Sequence, residues 1–211
     1  MFIVGIGPLG GGWGAKKNED GVSVTVCIND GDTHNSPSEQ LEAKYPVLVE
    51  RYSIREDSSG AGRTRGGLGA EMVVQALSPF SLTTRIDRMH CKPWGLEGGG
   101  EAAGNSIGIR RDGRWEKDLP NAKIFNVRLN RGDAYMMQSG GGGGFGDPME
   151  RDPELVAEDV REGYVSSAVA LNIYGVVLTT KGDVDVVATQ IRRKAKTSVR
   201  FEEESFEVIP G

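Results

Sequence analysis

Three groupings of residues in this chain could do chemistry. Asn29-Asp30-Gly31-Asp32-Thr33-His34-Asn35 sets carboxylates, amide oxygens and an imidazole within one short run, a donor set that suits a divalent cation. As a calcium loop it fails, because Asn35 stands where the turn glycine belongs and Leu41 where the closing glutamate belongs. As a transition-metal site it needs a further ligand from far along the chain, and His90 is the only other imidazole. The run therefore reads first as an Asx-rich turn, and no metal is assigned. Asp30, Asp32 and His34 stay as ligand or interface candidates.

The second grouping, Ser58-Ser59-Gly60-Ala61-Gly62-Arg63-Thr64-Arg65-Gly66-Gly67-Leu68-Gly69, combines flexible backbone with the guanidinium groups of Arg63 and Arg65. A planar fork of this kind suits an anionic ligand or a carboxylate across an interface. It is no Walker loop, because no Gly-Lys-Ser/Thr follows and the next run reads as a strand. The third, Gly5-Ile6-Gly7-Pro8-Leu9-Gly10, is a literal G-x-G-x-x-G with Asp30 sitting 20 residues beyond Gly10. A dinucleotide site needs a helix opening at the last glycine to receive the pyrophosphate. Gly11, Gly12, Trp13 and Gly14 follow instead, so a structural turn is expected. His90 beside Cys91 suggests a base and a nucleophile, but neighbours on an extended chain point to opposite faces. No catalytic residue is assigned.

The elements that must position these groups change character once. Apolar runs rich in β-branched residues, Val22 to Ile28, Tyr45 to Ile54, Ala70 to Leu77, Leu82 to Ile86, Ile124 to Leu129 and Ala134 to Met137, predict strands. Glycine clusters and Asp112-Gly113 punctuate them. The tract Gly140-Gly141-Gly142-Gly143-Gly144-Phe145-Gly146-Asp147-Pro148 could present N–H groups to an anion, but a close-packed turn beneath another backbone is the first reading. After it, Asp152 caps a helix with Pro153 at its first position; Leu155, Val156 and Val160 share a face and Gly163 ends it. Ser166 or Ser167 caps a second helix ending near Gly175, and Asp185 a third from Val186 to about Lys196.

The fold expected is α+β, mainly β. An antiparallel β-sandwich or distorted barrel over residues 1–148 is followed by a helical appendage of two or three short helices over 149–200 and an acidic tail, 201–211. The 31 glycines in 211 residues are about twice the average share. A formal charge of -5 gives no field to gather nucleic acid, and no apolar run reaches the roughly 20 residues that span a bilayer. With only Cys27 and Cys91 as thiols, both read as reduced and buried, a soluble cytoplasmic protein is expected.

Taken in order, several stretches resemble the C-terminal part of the B-type subunits of the hydantoinase/oxoprolinase family, over about residues 8–195. They are Gly10-Gly11-Gly12-Trp13-Gly14, Thr33-His34-Asn35-Ser36-Pro37, Val49-Glu50-Arg51-Tyr52, Gly60-Ala61-Gly62-Arg63, Pro93-Trp94-Gly95-Leu96, the tract ending Gly146-Asp147-Pro148, and Arg151-Asp152-Pro153. The resemblance implies an ATP-dependent assembly. An A-type partner phosphorylates the substrate or bicarbonate, and the B-type subunit opens a lactam or hydantoin ring or carboxylates a ketone. It also implies that the metal-binding histidines and aspartates lie in an upstream part with no counterpart here. No cofactor is then expected in this chain, with ATP and a divalent metal in partner subunits. Two readings stand. In one, the chain assembles with its other half to complete a B-type subunit, a reading favoured by a strand edge left open at Phe2 to Ile6. In the other, it is a non-catalytic β-rich structural or binding module.

Overall fold

The computed structural model of the chain describes residues 9–26, 36–116, 119 and 123–195. A short helix, α1 (Ser38–Lys44), precedes seven strands: β1 (Val47–Ile54), β2 (Ala70–Ala76), β3 (Phe80–Leu82), β4 (Ser106–Arg111), β5 (Arg114–Glu116), β6 (Val127–Leu129) and β7 (Ala134–Gln138). Helices α2 (Pro153–Arg161) and α3 (Ser167–Asn172) follow, and residues 186–195 form α4.

The main sheet runs β1-β2-β7-β4-β5, and β3 pairs with β6 in a second, smaller one; every pairing is antiparallel. The alternation of side chains across a strand explains how the two sheets meet. Met72, Val74 and Ala76 of β2 share one face with Ile109 and Tyr135, and Phe80, Leu82, Val127 and Leu129 of the small sheet pack on that face. Phe80 meets Tyr135 edge-on, with ring centroids 6.4 Å apart. Val73, Ala134 and Met136 point the other way, toward Trp115. The result is sandwich-like, with open edges at β1 and β5 rather than a closed barrel.

Local chemistry accounts for the turns and caps. Asp112 and Gly113 both adopt positive φ, 49° and 76°, as a two-residue hairpin turn between right-twisted strands requires. At α2 the Asp152 carboxylate accepts from the Glu154 N–H and Pro153 occupies the first helical position. Gly163, at φ 71°, ends that helix. Ser166 accepts from the Val169 N–H at α3, and Asp185 from the Ala188 N–H at α4. The buried face of α2 differs from the one expected. Val156, Ala157 and Asp159 are buried, whereas Leu155 turns outward. Val156, Val165, Ala170, Tyr174 and Val176 make a second apolar cluster, which Ala61 joins from the loop before β2. Arg192 and Arg193 of α4 bond to the carbonyls of Leu171 and Tyr174 around the end of α3.

Three strand expectations shift. Residues 22–26 contribute one isolated bridge, Gly11 to Thr25, rather than a strand. Only Leu82 of the Leu82 to Ile86 run is paired, and the run from Ile124 narrows to β6. Among the described residues no helix is long and apolar enough to cross a membrane.

Candidate functional site

Four glycine-rich segments, near residues 10–14, 60–69, 95–100 and 140–144, lie side by side and bond backbone to backbone. Gly12 donates to the Gly140 carbonyl at 3.0 Å, Gly142 to Gly67 at 2.9 Å, Gly60 to Gly142 at 2.8 Å and Gly144 to Gly100 at 3.0 Å. Gly67 donates in turn to Trp13 at 2.8 Å. These residues are glycine for reasons of space. A Cβ at Gly142 would collide with the Trp13 carbonyl, and one at Gly143 with that of Trp94. The tract is thus a packed layer with no side chains inside it, and Gly141, Gly142, Gly143 and Gly144 are all buried. Of the G-x-G-x-x-G run only Leu9 and Gly10 are among the described residues, and the Gly10 carbonyl accepts from the Ser139 hydroxyl at 2.6 Å. No helix occurs over residues 9–26.

A buried ionic cluster ties this layer to the helices. Arg151, 2% exposed, bonds Asp20 through Nη1 at 2.8 Å and Nη2 at 2.7 Å, and Asp159 through Nη2 at 2.9 Å. Arg65 reaches the other oxygen of Asp159 at 3.1 Å and lies over the Tyr164 ring, 5.4 Å from its centroid. Its backbone N–H donates to Asp20 at 2.6 Å. Burial by itself would raise the Asp20 carboxyl, but the hydrogen bond and charge of Arg151, with Arg65 behind them, hold it below the usual carboxylate range. Burial likewise opposes the charge on Arg151, yet the Asp20 bond and the two carboxylates outweigh it and strengthen its hold on the proton. Burial pushes the nearby Tyr174 hydroxyl up to about 12. The Nε of Arg151 is buried without a hydrogen bond among the described residues.

The candidates read from sequence fall in different places. Arg65 holds carboxylates of its own chain, not those of an interface, because the loop that carries it folds against α2. Arg63 is half-exposed. It donates to the Lys17 carbonyl at 3.2 Å, lies 3.7 Å from Glu150 and sits over Phe145. Asp30, Asp32, His34, Cys27 and the Phe2 to Ile6 edge lie outside the described residues. His90 is exposed, and Cys91 is an exposed free thiol rather than the buried one expected. Among the described residues no group of three or more His, Cys, Asp or Glu could hold a metal.

Sequence reasoning missed Arg151, Asp159 and Asp20. The readable signal was Asp159, an acid on the same helical face as Val156 and Val160, which calls for a buried cation. It also missed a cavity of about 460 Å³ against the glycine layer, walled by Leu9, Gly14, Arg88, Trp94 and Gly143 among others. Trp94 stands 71% exposed at this wall. The lining brings Arg88 and Trp94 together with glycine backbone at one wall.

The sequence profile of the Hydantoinase B/oxoprolinase family matches residues 2–148. The putative B-type subunit of a D-/L-hydantoinase from Pseudomonas sp. (strain NS671) is 32% identical over 184 residues, which cover 87% of this chain and 31% of that protein. The crystal structure of the ATP-dependent caprolactamase from Pseudomonas jessenii superposes with a TM-score of 0.73 at 29% identity, covering 87% of this chain and 32% of that one. A nucleotide-free acetone carboxylase structure shares the fold over 96% of this chain and 31% of its own, with a TM-score of 0.78 at 24% identity. The chain spans about a third of the length of these relatives.

Proposed function

The chain belongs to the hydantoinase B/oxoprolinase family, and we propose from that premise that it supplies the C-terminal portion of a B-type subunit in an ATP-dependent enzyme. The reaction is ring opening of a lactam or hydantoin, or carboxylation of a ketone. The chain acts in assembly with the upstream B-type half and an ATP-binding A-type subunit, and is not catalytic alone. The observation that carries this reading is the pairing of 87% coverage of this chain with 31% coverage of the hydantoinase relative. What the chain contributes is a framework built from backbone, locked by buried ion pairs and opening on one cavity wall. The described residues do not fit a metal, so no step is routed through one here, and ATP and a divalent cation are assigned to the partner subunits.

The test is reconstitution from three separately produced parts: this chain, the remaining B-type half and the A-type subunit. Phosphate release from ATP in the presence of a lactam or hydantoin should require all three, and bicarbonate with a ketone serves as the second substrate pair. Turnover unchanged when this chain is left out would make it a non-catalytic module and overturn the proposal, and so would turnover by the chain alone.

A further inference from the structure

We propose that the Trp94 cavity is the seat of the remaining B-type half, which inserts an acidic side chain flanked by apolar residues; this rests on the function proposed above. Three observations converge on that wall. Gly143 is buried, yet neither its N–H nor that of the neighbouring Gly14 makes a hydrogen bond among the described residues. Buried amides are paired in more than about nine cases in ten, so an open one marks a surface completed by something else. The exposed Arg88, at a positive φ of 58°, lines the same cavity, and its side chain has no ion pair or hydrogen bond among the described residues. Beside these donors, Leu9, Pro93 and the exposed Trp94 form an apolar wall. A carboxylate satisfies the guanidinium and the amides, and apolar flanks satisfy the indole.

The choice of a polypeptide occupant follows from the relatives. Leu9, Gly14, Arg88, Trp94 and Gly143 all fall within the matched residues 2–148, while this chain spans about a third of each relative. The rest of such a subunit packs against this framework, and the cavity is where the framework has unmet donors. The rival apolar surface is on α4, where Val187 and Ile191 are 68% and 65% exposed. It lies outside the matched stretch.

Binding of the separately produced B-type half to the full chain, followed by isothermal titration calorimetry, tests this. Trp94→Ala and Arg88→Glu should each weaken the Kd at least tenfold with the melting temperature unchanged, since both side chains are exposed. A Val187→Ser/Ile191→Ser control should bind as wild type does. If wild type binds and the cavity variants bind equally well, the cavity is not the seat, although the proposed function survives. Loss of binding in the α4 control alone moves the interface to that helix and overturns the inference. If wild type does not bind the half at all, the proposed function fails and the inference with it. Saturable binding of glutarate to the chain alone, abolished by Arg88→Glu while docking persists, would make the cavity a small-molecule carboxylate site and equally overturn it.

Discussion

Removing the Arg151 guanidinium is the sharpest perturbation the fold offers. Its head group makes two bonds to Asp20 and one to Asp159, with a further contact to the Arg63 carbonyl at 3.3 Å. Taking one partner out of a buried pair leaves the other charged and unsolvated, at a cost of about 3–5 kcal/mol. Two features place Arg151→Ala near the lower end. Asp20 is a third exposed and rehydrates, and Asp159 keeps its contact with Arg65. About 3 kcal/mol remains, and at roughly 2–4 °C per kcal/mol for a chain of this size the melting temperature should fall by about 6–12 °C. Thermal unfolding followed by circular dichroism reads this directly. Arg110→Ala, which removes a two-bond pair with Glu50 on the partly exposed sheet surface, should cost no more than about 1 kcal/mol. Equal losses in the two variants would refute the claim that the Arg151 cluster holds the helices to the glycine layer.

Gly142→Ala should destabilise by about 3 kcal/mol or more, because the added methyl runs into the Trp13-Gly14 backbone and nothing flexible can yield; urea unfolding measures it against Gly113→Ala, where the added Cβ meets open space and only backbone strain of about 1 kcal/mol is expected. Tyr174 holds its proton to about 12 in the folded chain against roughly 10 when unfolded, so its contribution is full below pH 10 and lost as pH rises toward 12. Tyr174→Phe should therefore flatten the alkaline limb of the stability profile, and an unchanged limb would show that the hydroxyl is not desolvated as described.

The strands that carry the sandwich core were legible because their apolar residues alternate. Tyr45 to Ile54, Ala70 to Leu77 and Ala134 to Met137 each coincide with an observed strand to within two residues. Strands β4 and β5 were not, since Ser106–Arg111 has two isoleucines split by Gly108 and β5 is three residues long; only their turn, Asp112-Gly113, was visible. Helix α1 escaped for a similar reason, being seven residues long with Leu41 as its one buried side chain. The caps at Asp152, Ser166 and Asp185 were readable because capping is a local bond between neighbours. The ionic cluster was not, because Asp20, Arg65 and Arg151 are drawn from segments far apart in sequence and meet only when the glycine layer assembles. Arg63 and Arg65 were singled out as a pair, yet the chain bends at Gly62 and Arg63 instead of running as a strand, so the two do not share a face and only Arg65 enters the protein.

A layer made of backbone alone poses a problem of register, since it has no knobs to fit into holes. The sequence solves it by exclusion. The five glycines from Gly140 to Gly144 are bounded by Ser139 and Phe145, and a Cβ at each site within the tract meets neighbouring atoms, at most sites a carbonyl of the opposing segment. Sliding the tract by one residue would drive Ser139 or Phe145 into a space that admits only glycine. The flanks then fix the ends. Ser139 bonds Gly10 and Ala70, Asn105 accepts from the Gly140 N–H, and the Arg65, Arg151, Asp20 and Asp159 cluster fastens the far side to α2. The same rigidity bears on function. An unpaired amide at Gly143 can discriminate among occupants only if its position is fixed, and here it is fixed by the absence of any side chain that could move.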